Sequence, residues 1–331
     1  MRRALVLGVA CGLLPGLASA QVESRVSAEV DFTAGRSTDD VNAAAVQTRL
    51  FGASRSDWRY FVEAAWGRVT TSDSDAFGAA YPYDRQVRPM EAFVEKTVHG
   101  QRWIAGLRAG RYRTPFGMSG RGDHAYAGFV RAPLIRYGRN WTISNTFLDT
   151  GASVMAGLPE AHVEASVGAP LDEGEMRRQG GVTATVRGQV YYRAFVVGMS
   201  TMRSRPNDDQ PWISGAMVFH GVDARWMRGG VQVRGEWIWG RPFDDVKTRG
   251  GYVDVLVHHV GMGPVTAVAR AERLDYDAGE HSAYLQRYTA GARIRVTAAI
   301  AGQINVLHQP LPMEGQRRSA LDASVTYSVR F

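Results

Sequence analysis

The chain has 331 residues, with 39 Lys and Arg against 32 Asp and Glu and a formal net charge of +7. A basic surplus invites nucleic acid as a partner, but no basic stripe or base-stacking module accompanies it, so nucleic acid is not expected. Cys11 is the single cysteine, which excludes a disulfide framework.

In chain order, Arg2 and Arg3 precede an apolar stretch from Ala4 to Leu17, and Ala18-Ser19-Ala20 stands ahead of Gln21. A basic start, an apolar core and a small-residue site read as a secretory signal cleaved after Ala20. Gly8 occupies the place where a lipoprotein signal around Cys11 wants Leu. The expected division is residues 1–20 as the cleaved signal and 21–331 as a single domain, with no linker or low-complexity tail. Without Cys11 the remainder has no thiol for catalysis or metal binding, and neither a metal nor a cofactor is expected.

Residues 21–331 hold no run of about 18 apolar residues, the length a helix needs to cross a bilayer. They alternate instead. Val26, Ala28, Val30 and Phe32 oppose Arg25, Ser27, Glu29 and Asp31, and Trp58, Tyr60, Val62, Ala64 and Trp66 oppose Arg59, Phe61, Glu63, Ala65 and Gly67. A period of two makes strands with one apolar and one wet face. Strands are placed near 22–35, 43–53, 57–69, 89–98, 102–112, 148–158, 161–168, 180–187, 190–203, 212–226, 230–240, 250–260, 264–275, 285–297, 299–308 and 320–331, sixteen in all. In an exported chain with aromatic residues near strand ends, this predicts an all-β fold, a transmembrane antiparallel β-barrel. A closed barrel is the one structure besides a helix that satisfies its backbone in lipid.

Short connections such as His99-Gly100 and Leu158-Pro159-Glu160 alternate with longer ones near 70–88, 113–147, 169–179, 204–211, 241–249, 276–284 and 309–319. Short inner turns and long outer loops are the asymmetry of an outer-membrane barrel. The longest, 113–147, follows the fifth strand and is the third outer loop.

Residues 106–117 read G-L-R-A-G-R-Y-R-T-P-F-G. The passage resembles the G-R-x-R-T-P-F-G element of the phosphate-selective porin superfamily of Gram-negative outer membranes, which includes dicarboxylate-type relatives. That resemblance implies a sixteen-stranded homotrimeric barrel whose third loop folds inward and narrows the lumen. The residues suit such a loop. Gly106 and Gly110 have inward parity and leave room for another backbone, while Pro115 fixes a turn and Gly117 permits one. Residues 113–147 carry Arg113, Arg121, Arg131, Arg136 and Arg139 against Asp123, whereas the inward strand faces are nearly balanced. Arg108, Arg111, Arg113, Arg121 and Arg131 are therefore the candidate pore-lining, anion-attracting residues. A constriction ringed by Arg attracts anions. The other reading of these arginines is that they neutralise lipopolysaccharide phosphates at the rim or pin the loop to wall acids. Phosphate-specific members of the superfamily use lysines too, and 113–147 has none, so anions in general are expected rather than phosphate.

The final stretch, Leu321 to Phe331, alternates throughout, and Tyr327, Val329 and Phe331 resemble the signal read by the barrel-assembly machinery. The expected protein is a passive porin for small hydrophilic or anionic solutes. Its expected place is integral in the outer membrane among lipid and lipopolysaccharide. A plugged structural or adhesive barrel is the alternative, and an outer-membrane lipase a further one. No enzyme is expected, since His220 and His308 have outward parity but neither has a Ser two residues along its strand.

Overall fold

Alternating side chains become alternating faces in the computed structural model, which describes residues 25–54, 56–70, 84–118, 127–136, 147–170, 181–205, 216–243, 246–279, 281–311 and 317–331. Sixteen strands follow one another: β1 (Arg25–Ser37), β2 (Asn42–Ala53), β3 (Trp58–Val69), β4 (Asp84–His99), β5 (Ile104–Arg113), β6 (Leu148–Leu158), β7 (Ala161–Pro170) and β8 (Val182–Tyr192). The second half comprises β9 (Phe195–Arg205), β10 (Met217–Arg228), β11 (Val231–Phe243), β12 (Val246–His258), β13 (Val265–Ala278), β14 (His281–Arg295), β15 (Ile300–His308) and β16 (Ser319–Arg330). Each pairs antiparallel with its sequence neighbours, and β1 closes on β16 from Glu29↔Arg330 to Ser37↔Asp322. Closure leaves no strand edge unpaired, which lipid requires.

The barrel is inside-out by the standard of a water-soluble sandwich. Val62, Leu107, Val154, Val186, Val253 and Val325 are exposed on the outer face, while Asp31, Glu63, Arg108, Asp223, Asp254, Arg270 and Asp322 are buried within. Exposed Val and Leu in a continuous band are stable only against hydrocarbon. Trp58, Trp103, Tyr192 and Phe195 gather near the short-turn end, and Trp239 and Tyr284 near the other. Such girdles suit the two membrane interfaces.

The structure moves some boundaries. The eighth strand was expected to stop near 187, but it runs to Tyr192, and the turn is Arg193-Ala194. Arg193, expected inward on a strand, instead adopts a φ of 53° in that turn. Two-residue hairpins need positive φ, and the strand twist outweighs the side-chain preference. The outer loops expected at 241–249 and 276–284 are mostly strand, since β11–β12 and β13–β14 continue outward almost to their turns. Above the lipid band a hairpin has no need of an apolar face, so its extension leaves no period-two trace.

Candidate functional site

The lumen is lined by arginines and carboxylates from consecutive strands, and the described parts of 113–147 bond to them. At the start of that segment, Arg113 donates from Nε to Glu91 Oε2 at 3.0 Å and from a terminal nitrogen to Glu63 Oε1 at 3.0 Å. Thr114 Oγ1 bonds Asp149 Oδ2 at 2.6 Å. Pro115 centres a tight turn in which the Phe116 N–H donates to the Thr114 carbonyl at 2.8 Å. Its fixed φ suits such a turn.

Glu236 on β11 then joins two distant points of the segment. It accepts the Met118 N–H at 3.1 Å and Arg136 Nε at 2.9 Å, and Arg136 also reaches the Phe116 carbonyl at 3.1 Å. Gly117 sits between with φ 62°, and a Cβ there would meet Glu236 and Arg136. Glycine is required on both counts, conformation and space.

Further along, Arg131 forms a bidentate pair with Asp322 on β16 at 2.7 and 3.0 Å and reaches Asp39 at 3.1 Å. The Arg131 carbonyl accepts from Arg270 at 3.0 Å, the Ala132 carbonyl from Arg287, and the Leu134 N–H donates to Glu272 at 2.6 Å. Asn305 bonds both the Val130 N–H at 2.7 Å and the Gly128 carbonyl at 3.1 Å. The apolar side of the segment, Phe116, Leu134 and Ile135, packs on Met202, Phe219, Ile238, Tyr252 and Leu274. These have the same strand parity as the buried charges, so the wall of β9–β13 carries an apolar patch where the segment lies.

The candidate arginines are thus held in several ways. Arg108 donates to Glu95 at 2.9 and 3.1 Å and to Glu164 at 3.0 Å. Arg111 donates to the Met90 carbonyl at 3.1 Å. Arg113 and Arg131 are paired as described, and Arg121 lies outside the described residues. Paired guanidinium groups are largely neutralised at close range. The segment engages Asp322, Asp39 and Glu236, and the lumen's exposed positive surplus lies apart from these pairs.

It falls on a cavity of about 1020 Å³ bounded by β1–β5, the β14–β15 turn and β16. Its lining has eight arginines against five carboxylates. Arg49 is tied to Glu29 and Asp31 at 3.1 and 2.9 Å. Arg59 is 58% exposed and has a 3.8 Å contact with Glu95, which Arg108 already holds. Arg25 and Arg295 are exposed and make no ion pair among the described residues. The parity of these three was legible, but their surplus was not, because it depends on which lumenal acids the other arginines engage.

Gly106 and Gly110 are crowded by neighbouring strands rather than by the segment. A Cβ at Gly106 would meet Met155 Cγ at 2.9 Å, and one at Gly110, whose φ is 130°, would lie 2.8 Å from Phe93 Cα. On the outer face, Tyr327 stacks with Phe32 at 6.3 Å, Val329 pairs with Val30, and the Phe331 N–H donates to the Ala28 carbonyl at 2.9 Å. His308 Nδ1 lies 3.1 Å from Ser319 Oγ across the strands. His220, also outward, makes the same contact with Thr201 at 3.1 Å, so the hydroxyl is a recurrent partner for an outward imidazole. No third group orients His308 among the described residues, and a triad needs one.

The fold is similar to that of solved outer-membrane porins. The anion-selective porin from Comamonas acidovorans superposes with a TM-score of 0.62 at 10% identity, covering 93% of this chain and 100% of that one. Salmonella typhi OmpF, solved with daunomycin, gives 0.63 at 12% identity, covering 92% and 97%. Pseudomonas putida OprB gives 0.65 at 8% identity, covering 94% of each. No protein-family model and no curated protein sequence matches the chain.

Proposed function

We propose that the protein is an integral outer-membrane porin that passes small hydrophilic solutes by diffusion and prefers anions. The observation that carries this reading is the cavity of about 1020 Å³ beside the 113–147 segment, with eight arginines and five carboxylates around it. The segment acts as a constriction loop bound to β9–β13, to β16 and to the β1–β2 turn, with the cavity toward the short-turn end of β1–β5 open to solute. Low-dielectric walls focus the surplus field, and arginine stays charged across physiological pH. Arg25, Arg59 and Arg295 face solute most directly, Arg108 and Arg113 add to the field from the same cavity, and Arg111, Arg121 and Arg131 bear on the loop. Several exposed, weakly paired guanidinium groups suit conduction, since a tight cage would not release its ion.

Kinship with the phosphate-selective type rests on residues 106–117 alone and carries the homotrimer with it. Recognition of Tyr327, Val329 and Phe331 by the assembly machinery belongs to the same reading, as do lipopolysaccharide contacts at the rim. The test is the zero-current potential of the purified protein in a planar bilayer under a KCl gradient. Anion preference should show directly, and Arg59→Glu with Arg295→Glu should move the potential toward cations. A wild-type pore selective for cations would defeat the anion reading, and a barrel with no steady current would defeat the porin reading.

A further inference from the structure

Among the described residues, several apolar patches interrupt the polar lumen, and two of them contrast. The first, on β9–β13, is covered: Phe219, Ile238 and Leu274 beneath the 113–147 segment are fully buried. The second is a cross-strand row on β2–β4, in which Phe51 pairs with Phe61 and Phe61 with Phe93. Their ring centroids are 5.0 and 5.3 Å apart, both tilted. All three line the cavity, and Phe51 remains 39% exposed. Phenylalanine on a water-facing wall forgoes the burial that favours it elsewhere. Three in register, with Phe51 left exposed among the described residues, form a surface that an apolar solute group can complete.

Charge lies on both sides of the row. The Arg108 guanidinium sits 4.9 Å from the Phe93 ring centroid. Arg59 is two residues before Phe61 on the same face, about 6.6 Å along the strand at the usual rise. A ring seated on Phe61 with a carboxylate one or two carbons beyond it spans that interval. The carboxylate then reaches Arg59, whose pairing to Glu95 is long at 3.8 Å. Aromatic rings favour offset or edge contacts with each other, and guanidinium holds carboxylate with two parallel bonds.

We propose that the Phe51–Phe61–Phe93 row, with Arg59, is a lumenal seat for small aromatic carboxylates. This deepens the anion-porin reading and rests on it for transport, though not for binding. The seat gives an anion with an apolar ring a longer stay in the cavity than an inorganic or short aliphatic anion of equal charge.

The test is single-channel recording of the full chain in KCl with phenylacetate, acetate or phenethylammonium added at equal concentration. Phenylacetate should interrupt the current with an apparent affinity about tenfold above that of acetate, the scale of one ring–ring contact. Phenethylammonium should not interrupt it. Phe61→Leu keeps an apolar side chain but removes the ring, and should bring phenylacetate to the acetate level. Arg59→Gln should weaken phenylacetate. Equal block by phenylacetate and acetate in an anion-preferring wild-type pore overturns the seat while the porin reading stands. Phenylacetate block unchanged by Phe61→Leu overturns it as well. If the barrel carries no current, the porin reading fails, and titration calorimetry of detergent-folded protein with phenylacetate and acetate decides the seat by the same tenfold criterion.

Discussion

Glu236→Ala is the sharpest probe of how the 113–147 segment is held. Glu236 accepts the Met118 N–H and both ends of the Arg136 guanidinium, and the Arg136 side chain is 1% exposed. Removing the carboxylate leaves a buried cation whose remaining hydrogen bond among the described residues is to the Phe116 carbonyl at 3.1 Å. Breaking a buried pair by deleting one partner costs about 3–5 kcal/mol, much of it the uncompensated charge. The barrel ladder does not depend on this pair, so the cost should fall on the segment. At about 3 kcal/mol, its opening equilibrium shifts by roughly a hundredfold. Trypsin cleavage within 113–147 of folded protein reads that equilibrium when reclosing is fast. The cleavage rate should rise by about that factor while unheated electrophoretic mobility stays that of folded barrel. Glu236→Ala with Arg136→Ala should be closer to wild type than the single variant, with a coupling of about 2–3 kcal/mol. A rate within twofold of wild type for Glu236→Ala, or an equal loss of barrel mobility, would falsify the staple.

Gly117→Ala should loosen the same segment, because an L residue at φ 62° costs about 1–2 kcal/mol before its Cβ displaces Glu236; protease sensitivity again reads it. Glu95→Gln removes a carboxylate that Arg108 and Arg59 share, so the KCl reversal potential should move further toward anions; a shift toward cations contradicts the charge assignment of the cavity. Val186→Arg puts a charge on the lipid face and should cost about 2–4 kcal/mol if near the midplane, seen as a lower folding yield in vesicles. The same yield as wild type would place Val186 outside the hydrocarbon band.

Strand number, antiparallel order and the inward or outward aspect of most strand residues were legible because they are local. A period of two is written in consecutive residues, and β1 closing on β16 adds nothing the alternation contradicts. The short turn at Arg193-Ala194 escaped notice because its backbone state comes from strand twist, not from a Gly-Asn signature. The hairpin extensions of β11–β14 escaped for want of lipid to impose a pattern.

Sequence by itself determined a membrane barrel with a long, arginine-rich third loop, since burial against lipid selects every second side chain. Tertiary structure alone decided which charges remain for solute. Arg131 meets Asp322 across 191 positions of chain and Arg136 meets Glu236 across 100, and no local pattern records such a meeting. The same holds for Phe51, Phe61 and Phe93, each an unremarked inward residue on its own strand. Register sets them side by side, and Phe51 stays exposed among the described residues. Charge balance in a lumen is a sum over contacts of long sequence separation, so the surplus lies not in the loop, where the residues are counted, but on the wall toward the short turns, where arginines outnumber carboxylates.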